Sequence, residues 1–132
     1  MNAYHKAALA LTCAALAACA TPDPPLLPED EAQLPVVECE TKARCDVLWQ
    51  RAQLWVVNFA AFKIQISSDV VIQTFNPPAH SVRSAVTITR EPLGGERQRI
   101  NFRSACDNQF GCRPSDMRLR VSFNRYLRET PL

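Results

Sequence analysis

Residues 82–104 read VRSAVTITREPLGGERQRINFRS, and this stretch decides the fold. Apolar and polar side chains alternate on both sides of a short PLGG loop. The first half places Val86 and Ile88 on one face, and the second half does the same with Ile100 and Phe102. Alternation with a period of two residues is typical of a strand with one buried face. Because proline and glycine favour a turn between the halves, the stretch predicts an antiparallel hairpin.

Two further strand patterns precede this hairpin. The first places Phe62, Ile64 and Ile66 on one face, between polar neighbours, and a Ser-Asp turn follows it. The second, residues 70–75, is rich in β-branched side chains, and Asn76 followed by two prolines ends it. Short connections favour antiparallel pairing of successive strands, so the four runs predict a four-stranded antiparallel meander.

Helical patterns flank the predicted sheet on both sides. Residues 41–58 place apolar side chains at steps of three and four residues, which predicts an amphipathic helix. At this spacing Trp49 and Trp55 are core residues rather than a ligand box. Residues 117–123 fit either a strand or a helix, and we predict a C-terminal helix because Ser115 is a suitable N-cap.

Three segments divide the chain. Residues 1–18 hold a lysine and an uncharged Ala- and Leu-rich run, shorter than the roughly 20 residues that span a bilayer, which predicts a signal peptide. Residues 19–38 contain five prolines and several acids, which predict a semi-extended linker, neither helix nor central strand. Residues 39–128 then form one α+β domain of two layers, with an N-terminal helix, a four-stranded antiparallel meander and a C-terminal helix.

The predicted signal ends in the run Leu16-Ala17-Ala18-Cys19, which resembles the lipobox of bacterial lipoproteins. The resemblance implies cleavage before Cys19, a diacylglyceryl thioether on its sulfur and acylation of the new amine, and two or more acyl chains anchor a protein stably. The residue after the cysteine is Ala20 and not aspartate, so the resemblance also implies sorting to the outer membrane. The protein would then be anchored in the inner leaflet of that membrane and face the periplasm. The alternative is an ordinary secretory signal cleaved after Ala18.

Charge is distributed unevenly along the exported chain. Residues 20–46 hold seven acids and two bases, whereas the chain from residue 47 onward holds twelve bases and six acids. Fully stretched, the acidic linker would hold the domain up to about 60 Å from the membrane. It is either a spacer that must cross a gap or a general lipoprotein tether, and if the basic surface of the domain serves only solubility, the linker supplies its counter-charge.

Cysteines indicate how the domain is stabilised. One cysteine, Cys13, falls in the predicted signal, and four lie in the domain: Cys39, Cys45, Cys106 and Cys112. The oxidising periplasm implies two disulfides, for which three pairings are possible. Both neighbouring pairs have the spacing C-x5-C, which favours the local pairs Cys39–Cys45 and Cys106–Cys112. A zinc site or a redox enzyme is the rival interpretation, but the C-x2-C spacing typical of these sites is absent.

Four short motifs stand out along the domain. They are the first cysteine pair followed by Asp46 and Trp49, the run TREP before two glycines, the second pair enclosing Asn108, and the run FNRY at residues 123–126. With the lipobox, they resemble a family of small uncharacterised proteobacterial lipoproteins over about residues 39–127. The resemblance implies no activity, so no functional residue is carried over from it.

Few groups in the exported chain point to catalysis. Its one histidine, His80, lies close to two prolines and has no cluster of acids or cysteines around it. The chain contains no G-x-S-x-G, H-E-x-x-H, P-loop or dinucleotide-binding motif. Asp107 and Asp116 flank the second cysteine pair, where a turn and the first turn of a helix explain them better than a cation site does. We therefore expect no enzymatic activity, no metal site and no cofactor.

Arginine is the feature that suggests a function. Eight arginines lie between residues 97 and 128, where Asp107 and Asp116 are the only acids. Arginine suits bidentate contacts with phosphate and carboxylate groups. If helices cover one face of the sheet, the other face would carry Lys63 and a candidate anion-binding set: Arg83, Arg97, Arg99 and Arg103. The alternative is a solvated basic surface that only improves solubility.

Three functional hypotheses follow. The first is a non-enzymatic module, attached to the membrane through Cys19, that binds an envelope protein, peptidoglycan or anionic lipid; the compartment excludes nucleic acid. The second is a sensor or regulator of envelope state, in which labile disulfides carry the signal. The third and weakest is an enzyme or enzyme inhibitor whose site would include Tyr126, His80 or the arginines.

Overall fold

A computed structural model describes residues 23–129 and residue 131 of the 132-residue chain. The predicted signal peptide, residues 1–18 with Cys13, lies outside the described residues, as does the predicted lipidation site Cys19. Within the described part of the chain, no helix combines the length and the apolar character needed to cross a membrane.

The described chain has an α+β fold of five strands and three helices. The strands are β1 (Val37–Cys39), β2 (Ile64–Ser67), β3 (Val71–Thr74), β4 (Ala85–Gly94) and β5 (Arg97–Ala105). The helices are α1 (Pro28–Glu31), α2 (Lys42–Phe59) and α3 (Asp116–Arg128).

All neighbouring strands of the sheet are antiparallel, in the order β1-β5-β4-β3-β2. Strands β2 to β5 form a meander, but the prediction of four strands is wrong, because β1 adds a fifth at the free edge of β5. In this pairing Val37 lies opposite Ile100 and Cys39 opposite Gln98. The sequence did not indicate β1 because three residues are too few to display an alternation.

The long helix α2 is not the N-terminal element of the described chain, since α1 and β1 precede it. It packs with α3 against the same face of the sheet. The ring of Trp55 meets Phe102 of β5 and Phe123 of α3 edge-on, with centroids 5.4 Å apart in each pair. Trp49 is also buried, and its indole Nε1 donates to the carbonyl of Ser68 at 3.1 Å. Both tryptophans therefore belong to the core, as their spacing predicts.

Residues 117–123, which also fit a strand pattern, lie in helix α3. Ser115 occupies the N-cap position, although its side chain makes no capping hydrogen bond. The carboxylate of Asp116 instead accepts from the backbone N–H of Ser104 at 3.2 Å and from its hydroxyl at 2.7 Å. These bonds attach the start of α3 to β5, and the carboxylate lies where the helix dipole favours negative charge.

Strand β2 departs from the predicted alternation. Ile64 lies opposite Thr74, but Ile66 lies opposite Gln73, so the pairing shifts by one residue at a bulge. Side chains change face at such a shift, which leaves Ile66 on the face away from the helices and 46% exposed. The prediction that Phe62, Ile64 and Ile66 share one face is therefore wrong for Ile66.

Both disulfides join neighbouring cysteines, so the local pairing favoured by the C-x5-C spacing is confirmed. Their surroundings differ. Cys39 and Cys45 are buried and connect β1 to the first turn of α2. Cys106 and Cys112 are half-exposed and close the loop between β5 and α3. The first disulfide is part of the core, whereas the second fixes the shape of a surface loop.

Residues 23–38 do not form the predicted semi-extended linker. Pro28 begins the one-turn helix α1, at a position where a missing N–H costs nothing. The segment that follows is held by the buried side chain of Asn124, whose amide donates to the carbonyls of Gln33 at 2.6 Å and Pro35 at 3.1 Å. Prolines lose a donor but keep a carbonyl, so a proline-rich segment can still bind through its acceptors. We call residues 23–36 the N-terminal strap.

Candidate functional site

The structure places six of the eight arginines between residues 97 and 128 in two rows. One row lies on the outer side of α3, and the other on the sheet face that α2 and α3 leave open. We call them the α3 arginines (Arg118, Arg125 and Arg128) and the β5 arginines (Arg97, Arg99 and Arg103).

The α3 arginines bind the N-terminal strap. Arg125 pairs with Asp30 at 2.5 Å. Arg128 donates to the carbonyl and to the side-chain oxygen of Gln33, at 3.0 and 2.9 Å. Arg118 donates to the carbonyl of Pro24 at 2.5 Å and lies 3.8 Å from a carboxylate oxygen of Asp23. The acidic segment that the sequence suggested as counter-charge therefore occupies this row.

The β5 arginines project from the open face, because they alternate along the strand with buried Ile100 and Phe102. Two of the three have carboxylate partners on adjoining segments. Arg97 lies 3.3 Å from Glu38 and 3.1 Å from Glu40, and Arg99 lies 2.8 Å from Glu91. These pairs reduce the positive charge of the face at its β1 end.

Hydrogen bonds hold Glu91 in its ionised form on this face. The Arg99 guanidinium donates to its carboxylate from Nε and Nη2, at 2.9 and 2.8 Å. These bonds lower the pKa of Glu91 below its ordinary value, and hydrogen bonds from Asn101 and Thr89 lower it further. The Arg99–Glu91 pair is therefore a charge-neutral element at neutral pH.

Arg103 differs from its two neighbours. Within residues 23–129 and residue 131, its side chain has no carboxylate or hydrogen-bond partner. It lines an open cleft of about 450 Å³ at the far end of the face from β1. The cleft combines polar groups with small apolar ones and is lined by Gln73, Thr74, Asn76, Pro77, Ala85, Thr87, Arg103, Ser104, Ala105 and Cys106. It offers an exposed guanidinium beside neutral hydrogen-bonding groups.

Arg83 does not join the other members of the predicted anion-binding set. It precedes β4 and lines a small cavity on the helix side of the sheet, with Trp55, Phe59 and Pro114 among the other lining residues. Alternation assigns faces only within a strand, and Arg83 lies two residues before β4 begins. The structure thus brings Arg97, Arg99 and Arg103 together and leaves Arg83 apart.

A second polar site lies beside α2, where the sequence suggested none. Asp46 pairs with Lys42 and with Arg90, each at 2.5 Å, and Arg90 also donates to the side chain of Gln98. The hydrogen bonds from Lys42 and then Arg90 lower the pKa of Asp46. These residues line a cleft of about 850 Å³ together with Asp69. The spacing of Lys42 and Asp46 by four residues was the one available signal.

Asp46 is unsuited to act as a general base in this larger cleft. A general base needs a carboxylate that is free to accept a proton near neutral pH. Asp46 instead remains ionised and bound by two cations, so it acts as a link between α2 and β4.

The structure does not bring His80 and Tyr126 into one cavity. Tyr126 packs under the guanidinium of Arg51, 3.8 Å from the ring centroid, and lines a cavity of about 330 Å³ beside the strap. His80, in the loop before β4, is not among the residues that line it. Residues 23–129 and 131 contain no cluster of three or more His, Cys, Asp or Glu side chains suited to a metal ion.

Comparisons of this chain with family models, with curated proteins and with solved structures gave no significant match.

Proposed function

We propose that this protein is a non-enzymatic binding module, anchored by an acylated Cys19 to the inner leaflet of the outer membrane and facing the periplasm, whose open sheet face binds an acidic envelope component. The observation that carries the proposal is the cleft around Arg103. It holds an exposed guanidinium that lacks a carboxylate partner within the described residues.

The chemistry of this cleft suits a carboxylate or a phosphate group. A guanidinium presents donors in a fixed fork that matches both groups bidentately. Gln73, Asn76 and Thr87 add neutral hydrogen-bonding groups around it. The Arg97 and Arg99 pairs at the other end of the face are already neutralised, so an incoming acid gains most near Arg103.

Co-sedimentation tests this binding. Residues 20–132, exported so that the disulfides form, are mixed with peptidoglycan sacculi and, separately, with phosphatidylglycerol vesicles, at low and at physiological salt. Binding to at least one of them should weaken as salt rises.

The matched pair of variants is Arg103→Gln and Arg99→Gln, which remove one positive charge each from the same strand. We expect R103Q to reduce binding about tenfold or more, since a hydrogen bond to a charged group contributes about 1.5–3 kcal/mol. Arg99→Gln should reduce it much less because Glu91 already occupies that guanidinium. Equal binding by wild type and R103Q would refute the cleft as the binding site.

A second candidate function, a sensor of envelope redox state, is favoured by the half-exposed Cys106–Cys112 disulfide. A sensing disulfide must be reachable by thiols and reducible at potentials near that of thioredoxin. Stepwise reduction followed by alkylation and peptide mass spectrometry measures both disulfides in the same native sample. Reduction of Cys106–Cys112 near that potential, with Cys39–Cys45 intact, would support a sensor; resistance of both would argue against it.

A further inference from the structure

The strap determines how far the domain can stand from an anchor at Cys19. The carboxylate of Asp23 accepts from the backbone N–H of Ser115 at 3.1 Å, at the start of α3. Asp30, Gln33 and Pro35 are fastened farther along the same helix. Only the four residue steps from Cys19 to Asp23 remain, which reach at most about 14 Å when fully extended. A bound strap thus removes most of the spacing that a free linker would give.

Asp23 also determines which end of the domain is nearest the anchor. The start of α3 lies at the end of the sheet where β3 and β5 end and β4 begins. Two loops cover this end, residues 75–84 and residues 106–115. The Asn108 side chain donates to the carbonyl of His80 at 2.8 Å, and the Arg113 N–H donates to the carbonyl of Val82 at 2.8 Å, so the loops form one surface. We call it the loop end.

The loop end exposes large apolar side chains. Phe110 is 86% exposed at the tip of the Cys106–Cys112 loop, and Met117, in the first turn of α3, is 53% exposed. Phe75 and Val82 are also exposed there. The disulfide and the bond from the Phe110 N–H to the Asn108 side chain at 2.9 Å hold the tip in place. Transfer of such an exposed aromatic side chain from water into an apolar phase is favourable, because it removes apolar surface from water.

Positive charge surrounds these apolar groups. Lys63, Arg83 and Arg103 all lie at or beside this end of the sheet, and none has a carboxylate partner within the described residues. Asp116 pairs with Arg120 at 3.2 Å, and Asp23 lies 3.8 Å from Arg118, which leaves Asp107 as the opposing acid of the Cys106–Cys112 loop. Apolar side chains surrounded by cations match the interface of an anionic bilayer.

We infer that the loop end lies against the membrane in which Cys19 is anchored, and that Phe110 and Met117 enter the boundary between headgroups and acyl chains. The inference rests on the proposed acylation of Cys19 and names the membrane itself as an acidic partner of the domain. The short free tether and the exposed apolar tip favour the same orientation. The tether brings the loop end close to the membrane, and the tip of that end can then enter the lipid.

Tryptophan fluorescence quenched by brominated acyl chains tests this orientation. The full mature protein, purified with its native N-terminus, is reconstituted in vesicles of phosphatidylethanolamine and phosphatidylglycerol. The test variant is Phe110→Trp. The matched control is Val70→Trp, which lies in the β2–β3 turn at the opposite end of the sheet and is 61% exposed. Wild type gives the background from Trp49 and Trp55, which are 5% and 1% exposed.

Quenching of F110W above that background, with V70W at background, is the expected result. Mass spectrometry of the same samples reports whether Cys19 carries acyl chains. An acylated protein with F110W and V70W quenched equally, or with neither quenched, overturns the orientation and leaves the proposed anchor standing. An unacylated protein overturns both.

Discussion

The α3 arginines and the β5 arginines form two rows of the same residue in one small domain, yet they meet different partners. The α3 row binds residues 23–36, about 90 residues earlier in the chain. The β5 row faces outward, and its two paired members, Arg97 and Arg99, bind acids on or beside neighbouring strands. The α3 row therefore attaches the strap to the domain, whereas the β5 row leaves Arg103 without a carboxylate partner among residues 23–129 and 131.

This difference shows that a basic cluster in a sequence is not yet a binding surface. Guanidinium groups on a helix can be satisfied by backbone carbonyls as well as by acids, and the strap supplies both. On a strand, a partner lies on an adjacent strand or segment of the same face, either directly opposite at about 5 Å or diagonally at about 7–8 Å. Arg103 lies opposite Thr87 on β4, so the sheet offers it no carboxylate there.

Removal of the buried Asn124 amide should have the largest effect of the changes that test this comparison. Asn124 is 2% exposed and donates to strap carbonyls. We expect Asn124→Ala to lower the free energy of unfolding by about 2 kcal/mol, because these carbonyls lose a buried donor. Urea unfolding measures the change. The control Gln50→Ala, an exposed amide on α2, should cost about 0.5 kcal/mol or less. Equal losses of unfolding free energy would mean that the hydrogen bonds from Asn124 to the strap contribute no more than an exposed amide does.

Loss of one charge from the α3 row should have a smaller effect that is confined to the strap. We expect Arg125→Gln to cost about 1 kcal/mol or less, because its pair with Asp30 is partly exposed. The rate of amide hydrogen exchange in residues 23–36 should nevertheless increase. The strap can open locally without global unfolding, and loss of the Arg125 pair lowers the free energy of that opening. Arg99→Gln removes the same charge from the other row and should leave this exchange unchanged. Faster exchange in both variants would contradict the separation of the rows.

Local patterns in the sequence were sufficient for much of the fold. Alternation in residues 82–104 corresponds to the hairpin of β4 and β5, and the cysteine spacing corresponds to the two local disulfides. These features depend on residues close together in the chain. β1 and the strap do not, because their pairing depends on which groups the finished domain presents to them.

A residue before a strand, a residue at a bulge and the strap account for the remaining errors of prediction. The face of Arg83 was extrapolated from the alternation of β4, although the strand begins at Ala85. The face of Ile66 was extrapolated across a bulge. The pattern of prolines predicts a semi-extended linker because proline has no N–H group for regular hydrogen bonding, but the carbonyls and acids of the strap bind α3.

The acid dependence of stability provides the finest test of the β5 row. Ionised Glu91 is stabilised by Arg99, so its pKa in the folded protein lies below the ordinary value of 4.5. A depressed carboxylate pKa contributes stability that is fully present above the ordinary value and is lost as the pH falls through the folded value. Wild type should therefore lose stability below pH 4.5, and Arg99→Gln should lose less of it. The difference between the two proteins shrinks as Glu91 becomes protonated.

Urea unfolding at a series of pH values from neutral to below the folded pKa of Glu91 measures this difference. Arg103→Gln is the control, because Arg103 has no carboxylate partner among the described residues and its loss should leave the acid dependence of wild type unchanged. Asp46, whose pKa is also lowered, contributes equally in all three proteins and cancels from the comparison. If R103Q reduced the loss of stability at low pH as much as R99Q does, Arg103 would have an acidic partner within the folded chain. The distinction between a paired and an available arginine on β5 would then be lost.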